Sequence, residues 1–412
     1  MKTFCLTAMI ALFLLFCTNG IQAQTTQTQP KQVVIGSIDN IQSKILNEQR
    51  EVWVYVPRSA SDTNYSKQRY PVVYLLDGEL FFSSVVGMIQ PLSSAYFCPE
   101  MIVVGIPNTD RTRDLTPTHM DSCQFLDLVM DFDICENSGG GEKFISFIEQ
   151  ELMPHIDSLY PTAPYRILIG HSFGGLTVMN TFIHHTNLFK AYVAIDPAMS
   201  WDNQKLLKEA KKVLATNTYS GVSLFLGIAN TMNAGMDTIK VKKDTTKSTE
   251  HIRSVFDLRN YLNNNKQNQL VYTYKYYNSD EHNSVPLIAE YDALRFIFNY
   301  YHLSLFYNDY RNIVNLYENV SKHFGYKVKP PESMVNDLAY TDLYFKHYDE
   351  SLYLFKLNVI NYPESYNTYD SMGDYFDAKG DKANAIDNYK KALSIKEVLY
   401  IRKKLERLQG NK

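Results

Sequence analysis

Gly170-His171-Ser172-Phe173-Gly174 stands between an apolar run at 165–169 and a second apolar run at 176–179. The stretch has the form G-x-S-x-G, and a strand before it and a helix after it form the context that a nucleophile elbow requires. The flanking glycines remove side chains that would collide with the adjoining strand and helix. We therefore predict that Ser172 is a nucleophile at the positive end of a helix. The alternative is a glycine-rich turn with an incidental serine.

Strands and helices alternate on both sides of this motif. Apolar or alternating patterns predict strands at 33–39, 50–56, 71–76, 101–106, 165–169, 191–195, 222–228 and 270–277. Helical periodicity appears at 142–159, 204–214 and 249–262. The alternation predicts an α/β-hydrolase fold with a mostly parallel sheet and helices on both faces. Ligands bind at the carboxyl ends of such strands, where loops bearing these residues would gather: Glu79, Arg111, Ser172, Trp201, Asp244 and His282.

His282 is the predicted general base. The α/β-hydrolase order is serine, acid, histidine, and His282 follows the last predicted strand in the polar loop 278–284, before Pro286 opens a helix. His251 is the competing histidine, but it lies inside a helical pattern that is more typical of a surface or capping residue.

Asp244 is the predicted acid of the triad, with Asp237 as the main alternative and Glu250 behind them. We place the acid after the strand that ends near residue 228, where it would hold the imidazole in the correct tautomer. Asp244 lies just before the predicted helix 249–262, and this position is more fixed than the flexible stretch 233–235. A purely structural alternative is that Asp244 caps that helix.

Two backbone amides are predicted to form the oxyanion hole. Phe173 follows the nucleophile and supplies one N–H, and the loop after the third strand supplies another from Gly78 or Glu79. Each such donor is typically worth about 3 kcal/mol in the transition state.

Three features together resemble the putative esterase family of α/β-hydrolases: the run 70–78 (YPVVYLLDG), the stretch 170–175 (GHSFGG) and the late His282. This family includes esterase D, the enterobactin and salmochelin siderophore esterases, feruloyl esterases and the mycobacterial mycolyltransferases. The resemblance covers about residues 32–300. It implies hydrolysis of carboxylic esters without a cofactor, and the mycolyltransferase pattern assigns an oxyanion amide to Glu79.

The resemblance extends to two loops. The loop pattern that follows the fourth strand in the siderophore-esterase branch is matched by Asn108, Arg111, Asp114, Thr116 and Pro117. The stretch 196–201 takes the place of that branch's Ser-Pro-Ser-x-Trp loop, from which Asp196 departs. We predict that Arg111 binds an acidic or catecholate group, with an ion pair to Asp114 as the alternative. Trp201 is predicted to line the substrate pocket, with a packing role as the alternative.

The N-terminus has the pattern of a secretory signal. Lys2 precedes an apolar run at 4–17, and the small Ala23 precedes Gln24, which predicts a signal peptide at 1–23 and a polar spacer at 24–31. We therefore expect a periplasmic or secreted protein with no transmembrane segment after cleavage. The bulky Phe16 argues against a lipid anchor on Cys17.

Charge and cysteine content exclude some classes of protein. The net charge of −3 in 412 residues suggests neither nucleic acid nor an anionic membrane as a partner. The mature chain would keep Cys98, Cys123 and Cys135, which allow at most one intramolecular disulfide and leave one thiol. Their spacing is not that of a zinc site, so no metal is predicted.

The pattern changes after the esterase-like domain, which is assigned to 32–305. A helical linker is predicted at 306–331 and tetratricopeptide-like repeats at 332–412, from the spacing of Tyr369, Met372, Gly373, Phe376, Ala385, Tyr389 and Ala392. Two repeats are too few for a free solenoid, so we expect them to dock on the hydrolase domain or on a second copy of the chain.

The sequence therefore predicts a serine esterase that acts through an acyl-enzyme, with siderophore esters as the first substrate class. Feruloyl or acetyl esters on polysaccharide are the alternative substrates. A non-catalytic binding protein that uses the helical repeats is the alternative of another class.

Overall fold

Eight strands form one sheet, and its central strands carry aliphatic runs that helices cover on both faces. The computed structural model describes residues 32–121, 124–125, 128–129, 135–265, 269–302 and 312–410; the predicted signal peptide and spacer lie outside them. The strand order is β1-β2-β4-β3-β7-β8-β9-β10. The strands are β1 Ser37–Ser43, β2 Glu48–Tyr55, β3 Tyr70–Leu76, β4 Ile102–Ile106, β7 Thr162–His171, β8 Ala191–Ile195, β9 Ser223–Ala229 and β10 Val271–Tyr277, and a separate hairpin joins β5 Gln124–Phe125 to β6 Leu128–Val129.

Six of the eight strands run parallel. Within this sheet, β1 pairs antiparallel with β2 and β2 with β4, whereas β4, β3, β7, β8, β9 and β10 pair in parallel. Every residue of β3, β4 and β8 is buried, as expected for strands covered on both faces. The predicted α/β-hydrolase fold with a mostly parallel sheet is confirmed, and the carboxyl ends of its central strands meet at one edge.

Helices connect these strands. They are α1 Gly78–Ser94, α2 Arg111–Leu115, α3 Gly141–Phe147, α4 Met153–Leu159, α5 Phe173–His184, α6 Trp201–Thr216, α7 Glu250–Asn264 and α8 Val285–Ile297. The helix predicted at 142–159 is continuous with a π-helical turn at Ile148–Leu152, between α3 and α4. Among the described residues, none of the helices is both long and apolar enough to cross a membrane.

In the part of the chain that the structure describes, six helices follow the sheet. They are α9 Ile313–Phe324, α10 Glu332–Tyr344, α11 Tyr348–Asn361, α12 Tyr366–Ala378, α13 Lys382–Ile395 and α14 Leu399–Gln409. Helices α12 and α13 approach closely because Gly373 has no side chain: a Cβ there would lie 2.5 Å from the Tyr389 ring. We call α9–α14 the helical segment.

The helical segment packs on the amino-terminal edge of the sheet. The ring of Phe324 stacks on Tyr165, near the start of β7, with 4.4 Å between the ring centroids. Phe298 and Tyr301 belong to the same buried apolar cluster as Phe324 and Phe355. Residues 35–412 form one compact unit, so the helical segment shares a core with the sheet.

Glu332 joins the helical segment to the loop before β3. Its buried carboxylate accepts hydrogen bonds from the backbone N–H of Ser66 at 2.8 Å and the Ser365 hydroxyl at 2.7 Å. The Asn367 side chain is a more distant donor, at 3.4 Å. A buried carboxylate is stable only when such donors compensate for its lost hydration.

Two cysteines have defined states. Cys98 is a buried free thiol, whereas Cys135 is disulfide-bonded. Cys123 lies outside the described residues.

Replacing Glu332 by alanine is expected to destabilise the protein by about 1–3 kcal/mol, because the substitution leaves buried donors without an acceptor. Thermal unfolding followed by circular dichroism measures the effect as a lower Tm. Glu364→Ala is the matched control, since Glu364 is an exposed acid in the loop between α11 and α12. Equal Tm values for the two variants would show that Glu332 does not hold the helical segment in place.

Candidate active site

Ser172 occupies the sharp turn between β7 and α5. Its backbone has φ 60° and ψ −115°, a conformation that non-glycine residues rarely adopt. The turn is possible because Gly170 has no side chain: a Cβ there would lie 2.4 Å from the backbone of Gly174. The predicted elbow is thus present, and it places the serine at the start of a helix.

His282 and Asp196 complete a hydrogen-bonded chain with the serine. Nε2 of His282 lies 3.0 Å from Oγ of Ser172, and Nδ1 of His282 lies 2.6 Å from Oδ2 of Asp196. His282 lies in the loop after β10, and its side chain is 14% exposed. A serine, a base and an orienting carboxylate in this geometry can carry out nucleophilic acyl transfer.

Asp196 and Ser172 follow neighbouring strands, β8 and β7. Asp196 comes directly after β8, and the backbone N–H of Ser172 donates to the carbonyl of Ile195 at 3.0 Å. The N–H of Ala198 donates in turn to the carbonyl of Ser172 at 3.1 Å. These two bonds fix the position of the acid's loop relative to the nucleophile.

The prediction that Asp244 orients His282 is wrong, because Asp196 holds that position. The carboxylate of Asp244 accepts from the hydroxyls of Thr246 at 2.6 Å and Thr249 at 2.7 Å, and these bonds lower the pKa of Asp244 to about 2. Asp244 therefore orders the turn before α7, a structural role similar to the helix-capping alternative. Asp237 is also engaged locally, with the backbone N–H groups of Ile239 and Lys240.

A second histidine reaches Asp196. His251, at the start of α7, is 3% exposed, and its Nε2 lies 2.9 Å from Oδ2 of Asp196. Burial opposes ionisation of Asp196, but the charges and hydrogen bonds of His251 and His282 outweigh it and hold the pKa of Asp196 well below its usual value. The prediction of a surface or capping residue is wrong for His251.

The ligand atoms of Asp196, His251 and His282 lie within 4.8 Å of one another, a spacing compatible with a metal ion. Two nitrogens at 2.6 and 2.9 Å from one oxygen are closer than ligands around a tetrahedral zinc ion, which stand roughly 3.3 Å apart for bonds of about 2 Å. The distances fit two N–H donors on an ionised carboxylate better than a metal centre.

The two predicted oxyanion amides belong to the first turns of neighbouring helices. Phe173 opens α5 after β7, and Glu79 is in the first turn of α1 after β3. Because β3 and β7 are paired, both helix N-termini lie at the same edge of the sheet. Helix N-termini present backbone N–H groups to negative charge.

Arg111 holds this edge together. Its Nε and Nη2 donate to the buried carboxylate of Asp77 at 2.6 and 3.0 Å, and Nη2 lies 3.4 Å from the carbonyl of His171. The ion pair predicted with Asp114 as an alternative is absent among the described residues, since Asp114 pairs with Arg50 and Arg113. The Arg111 side chain is still 35% exposed beside the nucleophile.

Trp201 packs behind the nucleophile. It is 6% exposed, its Nε1 donates to the carbonyl of Thr118 at 3.1 Å, and its ring meets Phe173 edge to face at 5.1 Å. These contacts correspond to the packing alternative for Trp201, because little of the ring is left to line a pocket.

His171 adds a neutral imidazole beside the base. Its ring centroid lies 4.5 Å from that of His282. Burial, and next the neighbouring His282, lower the pKa of His171 to about 4. At neutral pH, His171 therefore places no positive charge beside the imidazole of His282.

The chain is similar to a family of esterases and to several known proteins. The family model described as putative esterase matches residues 43–281. The ferri-bacillibactin esterase of Bacillus subtilis is 28% identical over 175 residues, which cover 40% of this chain and 59% of that protein. The siderophore enterobactin esterase of Emericella nidulans is 28% identical over 167 residues, or 37% and 52% of the two chains. This chain thus spans between about half and three fifths of the length of these relatives.

Solved structures share the fold. An IroE-like serine hydrolase from Shewanella oneidensis superposes with a TM-score of 0.68 at 29% identity, covering 78% of this chain and 98% of that one. An uncharacterised protein from Capnocytophaga ochracea has a TM-score of 0.53 at 18% identity and covers 91% of this chain and 99% of its own. The second likeness concerns the fold alone.

Asp196→Asn is expected to lower kcat for a p-nitrophenyl ester by about 10⁴-fold, because the amide no longer selects the required tautomer of His282. Asp244→Asn is the matched control and should keep kcat within about twofold. Steady-state kinetics of both variants, with folding checked by circular dichroism, decide between the two carboxylates. A large loss of kcat in Asp244→Asn, together with an active Asp196→Asn, would support Asp244 as the acid instead.

Proposed function

We propose, from the premise that this chain belongs to the putative esterase family, that it hydrolyses carboxylic esters through an acyl-enzyme on Ser172. The observation that carries the proposal is the continuous hydrogen-bonded chain from Ser172 through His282 to Asp196. The elbow conformation of Ser172 supports it further, because strained backbone at a nucleophile is a recurrent feature of such hydrolases.

In the proposed reaction, Oγ of Ser172 attacks the ester carbonyl carbon while its proton passes to Nε2 of His282. The amides of Phe173 and Glu79 stabilise the tetrahedral oxyanion. His282 then gives the proton to the leaving alcohol, and the acyl group stays on Ser172. Water, deprotonated by His282, attacks the acyl-enzyme, and as the carboxylic acid leaves, His282 returns that proton to Oγ of Ser172. Asp196 stabilises the imidazolium at both stages.

Siderophore esters are the proposed substrate class. One relative is named a ferri-bacillibactin esterase and another a siderophore enterobactin esterase. Arg111 supports this choice, since it keeps a partly exposed guanidinium beside the nucleophile, where it can attract a catecholate or another anionic group. We further propose that the protein acts in the periplasm or after secretion.

Ser172→Ala and His282→Ala are expected to lose at least about 10³-fold of the wild-type kcat on p-nitrophenyl butyrate, because each removes a group that the acyl transfer requires. A fluorophosphonate probe should label the wild type and leave Ser172→Ala unlabelled. Folded wild-type protein that neither labels nor turns over would favour the non-catalytic binding protein instead.

Arg111→Ala is expected to lower kcat/KM more for enterobactin than for neutral p-nitrophenyl acetate, by a ratio of about tenfold, because only the first substrate carries catechol groups that Arg111 can bind. The neutral ester is the internal control, since it records any loss caused by breaking the pair with Asp77. Equal losses on both esters would restrict Arg111 to a structural role. A wild-type preference for feruloylated oligosaccharide over enterobactin would reject the siderophore assignment.

A further inference from the structure

Two imidazoles share one carboxylate oxygen at this site. Oδ2 of Asp196 lies 2.6 Å from Nδ1 of His282 and 2.9 Å from Nε2 of His251. The two rings are perpendicular, with an interplanar angle of 89° and 5.5 Å between the centroids. The other oxygen, Oδ1, accepts from the backbone N–H of Ala229 at 3.1 Å. The carboxylate is therefore held from three sides.

These three donors come from different parts of the chain. Ala229 ends β9, His251 belongs to the first turn of α7, and His282 lies in the loop after β10. Asp196 is fully buried, and its own backbone has a φ of 40°. Because water does not reach this carboxylate, its orientation depends on these protein donors.

We propose that His251 is a positioning residue of the hydrolytic site, which holds Oδ2 of Asp196 in place for His282. The proposal rests on the proposed function. During turnover, the proton moves between Ser172, the imidazole of His282 and the leaving group, so the interaction between His282 and Asp196 changes in strength at each step. The N–H of His251 stays on Oδ2 throughout and prevents the carboxylate from rotating with the base.

Packing alone does not require this arrangement. A buried histidine needs a hydrogen-bond partner, but any carbonyl near the start of α7 would satisfy that need. His251 instead donates to the same oxygen that orients the catalytic base, so its removal leaves that oxygen with one side-chain donor. The consequence falls on kcat, because the geometry of His282 matters more in the transition state than in substrate binding.

Asparagine and glutamine at position 251 test this role. The amide nitrogen of glutamine can occupy the place of Nε2, whereas that of asparagine corresponds to Nδ1 and falls short of Asp196. We expect His251→Asn to lower kcat on p-nitrophenyl butyrate by about 10- to 100-fold with KM within about twofold, and His251→Gln to keep kcat within about threefold. Both variants keep a polar amide at the site, and Tm values record how well each folds.

Combining His251→Asn with Asp196→Ala tests whether His251 acts through the carboxylate. In the Asp196→Ala background, His251→Asn is expected to lower kcat no further, because the hydrogen bond that it removes is already lost. Ile252→Val is the control for helix packing, since Ile252 is buried on α7 next to His251; it should lower Tm slightly and leave kcat unchanged.

The outcomes separate this inference from the proposed function. Equal kcat values for the Asn and Gln variants, or the same fold loss from His251→Asn with and without Asp196, would overturn the positioning role while Ser172-dependent turnover stands. If His251→Asn does not fold, a His251→Gln variant that folds with a kcat loss of 10-fold or more overturns it, and near wild-type kcat supports it. Turnover that persists in Ser172→Ala would overturn the proposed function and this inference together.

Discussion

The buried carboxylate of Asp196 is the constraint on which the site depends. A buried ionised group without water needs hydrogen-bond donors. The carboxylate of Asp196 is contacted by a backbone amide from β9, an imidazole from α7 and a second imidazole from the loop after β10. Its own loop is bonded to the turn that carries Ser172. Four segments distant in sequence thus converge on one side chain, and the fold brings the nucleophile and base together through it.

The sequence was sufficient to predict the fold and two members of the hydrogen-bonded chain, Ser172 and His282. The strands at 71–76 and 191–195 were recognisable because both faces of each are covered, which requires continuous apolar runs. Ser172 lies in a motif whose glycines are required by the close approach of Gly170 to the backbone of Gly174. His282 was recognisable because it follows the last predicted strand. The π-helical turn at Ile148–Leu152 was not predictable, since apolar residues keep helical spacing through it.

The acid could not be placed by sequence order alone. Asp196, Asp237 and Asp244 all lie between Ser172 and His282, so the order of serine, acid and histidine fits each of them. What separates them is three-dimensional: β8 pairs with β7, which puts the residue after β8 beside the elbow. A signal did exist, because Asp196 stands where the related siderophore-esterase loop has serine. That signal does not reveal the position of the carboxylate between His251 and His282, which depends on the fold.

The helical segment lies at the end of the parallel strands opposite Ser172. It packs against Tyr165 and Ser66 at the start of the parallel strands, whereas Ser172 and Asp196 lie where those strands end. Seven residues of backbone, from Tyr165 to Ser172, therefore separate the helical segment from the nucleophile, a span of roughly 23 Å. A tag, an immobilisation surface or a fused domain attached after α14 would consequently sit on the helical segment, away from Ser172 and His282.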